Sequence, residues 1–529
     1  MKPLVASLLV LCATSLVAQV SETIDVRIIN VDVTVTSKGG PVRGLTRDDF
    51  QVFEDGVARP VTNFSAVEPA VKGALPAPAT VDQTLADPTD ERFRRKVLVI
   101  VDNRHVTMFN RDRTLAALER FVDDRFTGGT YDWSIVLLSS KTRLLLPLTS
   151  DKEKLHSAVA TIRRVVAHNE QWGPEDTEPV ALRSSFGRAD LFPRTTVENR
   201  LRENGVGKAG PETLREIGDF GTNLQIEADS RGTIEAIRDA VRSFAGVSGR
   251  KIIMLVTGGL GLDSGVSPLD VNPLSFLAGP AAASEQARNA TILRDLLIHE
   301  ANASNVSFFI VNSEGLAIHS SSMYWLARET GGRLMNGNSP DLSMAQFDRA
   351  SSSFYSLGYK PAHGDDGKYH SIKVRIRQRG CQLQYRTGYT SVPVNVQLAR
   401  AMDSPLAESM QQSSIPINIT TGDSAPHEGG ILVPLRAAVA AKDLQFLPSA
   451  DGSVARVDLY LTVFDDHGRK VFVSRFTSEA HAASGTESRG DFVDTRNILI
   501  KRGVPYRVVV AVHDQVTDAI GISSKTVRF

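Results

Sequence analysis

Val97-Leu98-Val99-Ile100-Val101 is an unbroken apolar run that stops on Asp102. A strand with one wet face alternates polar and apolar residues. This one does not, so both of its faces must be covered, as in a central parallel strand packed between helices. An acidic residue at the C-terminal end of such a strand lies where open α/β sheets bind their ligands. Asp102-Asn103-Arg104-His105-Val106 is therefore the first candidate site.

The sequence around this run predicts strands alternating with helices. Leu115, Leu118, Phe121 and Val122 recur at helical spacing, as do Leu155, Val159 and Ile162 after the capping candidates Thr149-Ser150-Asp151. Trp133–Leu138 and Arg143–Leu148 read as a hairpin at a sheet edge. Ile234, Ile237, Val241 and Phe244 mark another helix, Lys251–Val256 and Val306–Val311 two more buried strands, and Thr291–Glu300 a helix between them. The expected class is α/β, a doubly wound and mostly parallel sheet flanked by all-β modules at both ends.

A chain of 529 residues is too long for one domain. Val31, Val33 and Val35 alternate with Asp32, Thr34 and Thr36, and Glu54-Asp55-Gly56 marks a turn, so residues 20–68 read as an N-terminal β module. Ala, Pro and Thr dominate 69–92, a linker. The α/β domain then spans 93–392, with an insertion at 168–231 and a β extension carrying Phe354–Tyr359, Ile372–Ile376 and Leu383–Tyr389. Residues 393–422 read as a second linker. A β-sandwich-like domain follows at 423–529, where Val457, Leu459, Leu461 and Val463 alternate and Asp465-Asp466-His467-Gly468 makes a turn.

Sixty basic and sixty acidic residues cancel, which removes the electrostatic case for nucleic acid. Lys2, the apolar stretch from Leu4 to Val17 and Ala18 have the layout of a signal peptide over residues 1–18. No stretch is long enough for a membrane span. The expected location is periplasmic or extracellular. Outside the leader only Cys381 remains, in a strand-like context, and reads as an inert thiol rather than a metal ligand.

Several strings in order carry a resemblance: Val31-Asp32-Val33-Thr34-Val35, Gly44-Leu45-Thr46-Arg47-Asp48-Asp49-Phe50, Phe53-Glu54-Asp55-Gly56, Leu326-Ala327-Arg328-Glu329-Thr330-Gly331-Gly332, Tyr355-Ser356-Leu357-Gly358-Tyr359 and Arg386-Thr387-Gly388-Tyr389. In these the chain resembles exported bacterial proteins, abundant in Acidobacteria, that carry a domain related to von Willebrand factor type A. The resemblance implies a type A (Rossmann-like) sheet whose end holds magnesium or manganese through an Asp-x-Ser-x-Ser motif, a Thr and a second Asp. Such a hard cation needs about six oxygen ligands.

Asp102 matches the first Asp and Thr233 the Thr. Arg104 and Val106 occupy the serine positions, and Gly258 the place of the second Asp. A guanidinium there also opposes a cation. The resemblance thus implies a degenerate metal site and a non-enzymatic adhesion or scaffold protein. It would take no cofactor and bind an unidentified protein partner. The insertion should emerge beside Thr233 and cover the crevice. A simpler role for Asp102 is capping a neighbouring helix or pairing with Arg104. Two alternatives stay open: a metal-dependent adhesion module using Asp102 and Thr233, and a hydrolase working near Asp102 and His105.

Other catalytic patterns fail on inspection. Gly261-Leu262-Asp263-Ser264-Gly265 has Asp where a nucleophile elbow needs Ser. Gly259 and Gly261 start a dinucleotide-like spacing, but the third glycine comes one place late, at Gly265. His299-Glu300 lacks the second histidine of a zinc-protease motif, with Ala303 in its place.

Overall fold

The computed structural model describes residues 28–38, 40–68, 85–90, 92–125, 129–139, 141–166, 231–244, 247–260, 279–315, 321–404, 406, 415–449, 452–482, 491–517 and 519–528. Residues 1–18, expected to be a leader, and nearly all of the 168–231 insertion lie outside these residues.

The apolar run forms a strand, Arg95–Asp102, in which every residue is buried. Its strand neighbours are Tyr131–Leu138 on one side and Arg250–Thr257 on the other, both parallel to it. In chain order the elements of this region are β1 (Ile29–Ser37), β2 (Phe50–Glu54), β3 (Val57–Arg59), β4 (Val61–Val67), β5 (Arg95–Asp102), α1 (Met108–Arg125), β6 (Tyr131–Leu138), β7 (Thr142–Thr149), α2 (Lys152–Arg163), α3 (231–243), β8 (Arg250–Thr257), α4 (Gly279–Ala303), β9 (Val306–Asn312), α5 (Ser321–Glu329), β10 (Arg333–Asn336) and α6 (Pro340–Ser351).

One six-stranded sheet runs β10-β9-β8-β5-β6-β7, with β7 antiparallel to β6. Alternate residues of β5 divide its two covers. Val97, Val99 and Val101 pack with Leu115, Phe121, Val159 and Phe347 of α1, α2 and α6, while Leu98 and Ile100 pack with Ile237, Leu297 and Leu326 of α3, α4 and α5.

The expected α/β, doubly wound, mostly parallel class is overturned for the chain. Among the described residues strands hold 47% and helices 26%. The sheet with parallel strands is mixed, and the other four are antiparallel apart from a two-residue bridge at Leu85–Ala86. The physical reason is unequal signal. Buried parallel strands announce themselves as apolar runs, whereas half-exposed strands such as Asp491–Ile500 alternate in burial while mixing polar and apolar residues without a clear period.

The expected N-terminal module and the β extension are interleaved. β1 pairs antiparallel with β11 (Phe354–Tyr359), which also pairs with β4. β2 pairs with β12 (Tyr369–Ile376), which also pairs with β14 (Gly388–Thr390), while β13 (Gln382–Gln384) joins β1. Val31, Val33, Val52, Leu357, Tyr359 and Val374 share one core, against which Cys381 packs half-buried.

Residues 393–422 also depart from the linker expectation. They contain α7 (Val394–Asp403), whose Leu398, Ala401 and Met402 pack on Tyr460, Phe464 and Val509 of the C-terminal domain. That domain is a two-sheet sandwich built on the long strands Gly430–Ala440, Gly452–Phe464, Lys470–Ala482, Asp491–Ile500, Pro505–Asp514 and Ile520–Arg528. Among the described residues no helix is long and apolar enough to cross a membrane.

Candidate functional site

The parallel register brings the C-terminal ends of β5, β8 and β9 together, and the loops that leave them meet above the sheet. Asp102 is fully buried there. Its Oδ2 accepts from the Thr257 hydroxyl at 2.8 Å and faces His105 Nδ1 at 2.8 Å; its Oδ1 accepts the Arg104 amide at 3.2 Å. An ionised carboxylate only accepts, so the proton of that imidazole contact sits on Nδ1.

The Arg104 side chain does not pair with Asp102. Its Nε donates to the Ser139 carbonyl at 2.6 Å and its Nη1 to Thr233 Oγ1 at 3.2 Å. Thr233 is fully buried near the start of α3, so the guanidinium lies on the residue that the resemblance assigns to an ion. Val106 is fully buried and apolar. Gly258 follows β8, and its amide donates to the His105 carbonyl at 3.0 Å. A Cβ added there would stand 2.2 Å from His105 O and 2.5 Å from Glu314 Cγ.

The structure therefore unites Asp102, Arg104, Thr233 and Gly258 and sets Val106 in the core beneath them. It also adds residues that sequence reading missed. Glu314, after β9, accepts the Thr107 amide at 2.8 Å and the Asn110 side-chain amide at 2.8 Å. A carboxylate at the first turn of α1 satisfies orphan donors and complements the helix dipole. Thr257 and Ser139 were also missed, although an acidic residue two places beyond a buried strand was a readable signal for Glu314.

These residues do not fit a hard dication. Asp102 already accepts three donors, Thr233 accepts from a guanidinium, the serine positions hold Arg and Val, and the space at Gly258 is filled by other residues.

No family model matches the chain, and no curated protein matches it significantly. Among solved structures, proximal thread matrix protein 1 (PTMP1) from the mussel byssus, with a zinc-occupied MIDAS motif, is 13% identical over 49% of this chain and 48% of its own, at a TM-score of 0.23. This chain thus spans about half the length of that one. A von Willebrand factor type A protein from Catenulispora acidiphila is 10% identical over 82% of this chain and 66% of its own, at a TM-score of 0.24. The pilus adhesin SpaC from Lactobacillus rhamnosus GG is 8% identical over 87% of this chain and 58% of its own, at 0.20.

Proposed function

We propose that the chain is an exported, non-enzymatic protein-interaction protein, of adhesion or scaffold type, that engages its partner without a bridging dication. The observation that carries this reading is the closure of the Asp102 site: the carboxylate is spent on Thr257, His105 and the Arg104 amide, while Arg104 supplies a built-in cation beside Thr233. The sequence resemblance to exported type A-related proteins supports the same reading.

The test is capture of partners from an envelope extract by the immobilised chain, with and without a chelator. Capture unchanged by chelator supports the proposal. Capture lost on chelation, restored by magnesium or manganese and absent in Asp102→Ala, overturns it in favour of a metal-dependent adhesion module. Turnover in a hydrolase screen that Asp102→Ala and His105→Ala abolish overturns the non-enzymatic part.

A further inference from the structure

A second polar cluster lies on the N-terminal sandwich, away from Asp102. The β2–β3 turn puts Asp55 at φ 48°. There its amide donates to Ser371 O at 3.0 Å while its carboxylate accepts the Ser371 amide at 2.8 Å. This holds Asp55 Oδ2 at 2.7 Å from His370 Nδ1. On the other side of the ring, His370 Nε2 lies 3.1 Å from Asp366 Oδ1. His363 stacks on His370 with ring centroids 3.5 Å apart, and its Nδ1 lies 2.8 Å from Gly364 O. Its Nε2 faces Glu54 Oε1 at 3.6 Å and, at 3.1 Å, the Tyr389 hydroxyl, which itself donates to Glu54 Oε1 at 2.8 Å.

We propose that His363, Asp366 and His370 bind one divalent transition-metal ion of the zinc class.

Three features carry this. Potential ligand atoms of the three residues lie within 4.8 Å of one another. His370 has its Nδ1 against the Asp55 carboxylate, the outer arrangement that orients a ring whose Nε2 serves as a ligand, and His363 has its Nδ1 against the Gly364 carbonyl. His370 Nε2 faces Asp366 Oδ1, which also accepts the Lys368 amide at 2.9 Å, across a 3.1 Å contact that either a proton or a cation can bridge. Two ligands about 2.0–2.2 Å from one zinc ion sit at about this separation.

Stacked rings do not point at one ion, so His370 and Asp366 bind first. His363, on a loop and 21% exposed, then turns out of the stack to give the third ligand, and water takes the fourth position. Asp465, Asp466 and His467 form a comparable group, but the Asp465 carboxylate is spent on the amides of His467 and Arg469 and on the Arg469 guanidinium.

The test is calorimetric titration of the untagged full chain with zinc, paired with cobalt(II) absorption. One equivalent is expected, with cobalt d–d bands of low coordination number. Binding is lost in His370→Ala and Asp366→Asn, and Asp55→Asn weakens it about 10–100-fold. Asp102→Ala leaves it unchanged, which separates this site from the Asp102 loop. Thermal melts identify a variant that fails to fold, and Asp366→Asn, a near-isosteric change on an exposed side chain, then decides. Absence of saturable uptake by the folded chain, or uptake undiminished in folded Asp366→Asn, overturns the proposal.

Discussion

At Gly258 the backbone, not the side chain, decides what the site becomes. A methyl group there meets the His105 carbonyl at 2.2 Å, and a backbone carbonyl held by the Gly258 amide itself cannot swing aside cheaply. Gly258→Ala is therefore expected to destabilise the chain by about 2–3 kcal/mol, read from the urea midpoint at unchanged slope. Restoring the two serine positions should fail for the same reason. Arg104→Ser with Val106→Ser supplies hydroxyls but no room for a carboxylate at Gly258, so magnesium calorimetry should show no saturable heat. The second change also buries a hydroxyl in the place of a fully buried apolar side chain, costing about 1–3 kcal/mol. Asp102, Arg104 and Thr233 were legible in the sequence because each follows a buried strand or opens a helix. The role of Glu314 was not, because its partners Thr107 and Asn110 lie 207 and 204 positions away in the chain.

Elements built on apolar periodicity were the most legible: β5, the β6–β7 hairpin, and α2 with its Asp151 cap all stand where the spacing placed them. α7 escaped notice because its buried stripe is short, and the polar residues around it read as linker. How helices dock on each other is beyond periodicity, and here charge takes part. His156 on α2 sits between Glu119 at 3.3 Å and Asp123 at 3.1 Å on α1. Burial opposes the charged ring, but the hydrogen bonds to Asp123 and Glu119 outweigh it and hold its pKa above 6.5. A raised folded-state pKa means stabilisation fully present below the unfolded value and lost as pH rises through the folded one. The clamp should therefore add up to about 1 kcal/mol in mild acid and fade above neutrality, and His156→Gln should flatten that part of the stability–pH curve. Lys251 on β8 has the opposite sign. Burial first, then Arg386, pushes its ammonium down to about 8 against the pull of Asp32. The unfolded chain then binds the extra proton between about 8 and 10.5, so stability rises with pH across that window. Lys251→Met removes the half-buried charge and should stabilise the chain at neutral pH by about 1–2 kcal/mol, seen as a raised denaturation midpoint.

The whole molecule differs most from its sequence reading in how the ends of the mixed-sheet region close on each other. Each strand of the first sandwich carries its own alternation, but alternation names no partner, and the partners here lie some three hundred residues apart. Val31 pairs with Leu357 and Val52 with Val374. Central β11 has a neighbour from the N-terminal segment on each side, β1 and β4. The junction is fastened to the mixed sheet as well: Thr34 of β1 donates to the Ala350 carbonyl at the end of α6, Arg95 of β5 donates to Ser351 O at 2.8 Å, and Arg386 reaches Asn302 O at 2.8 Å. Carbonyls at a helix C-terminus are good seats for such cations. Pairing of this sequence separation carries a large loop-closure cost before it is rewarded, which slows folding. Cutting the chain at its apparent linker should therefore be costly. A piece starting at residue 93 leaves β11 with both edges bare and the apolar faces of Leu357, Tyr359 and Val374 without their cover. That piece should aggregate or bind a hydrophobic dye, whereas a piece of residues 28–404 should melt cooperatively. Equal melting of the two, measured by calorimetry, would show that the interleaved strands add nothing to the fold of the mixed sheet.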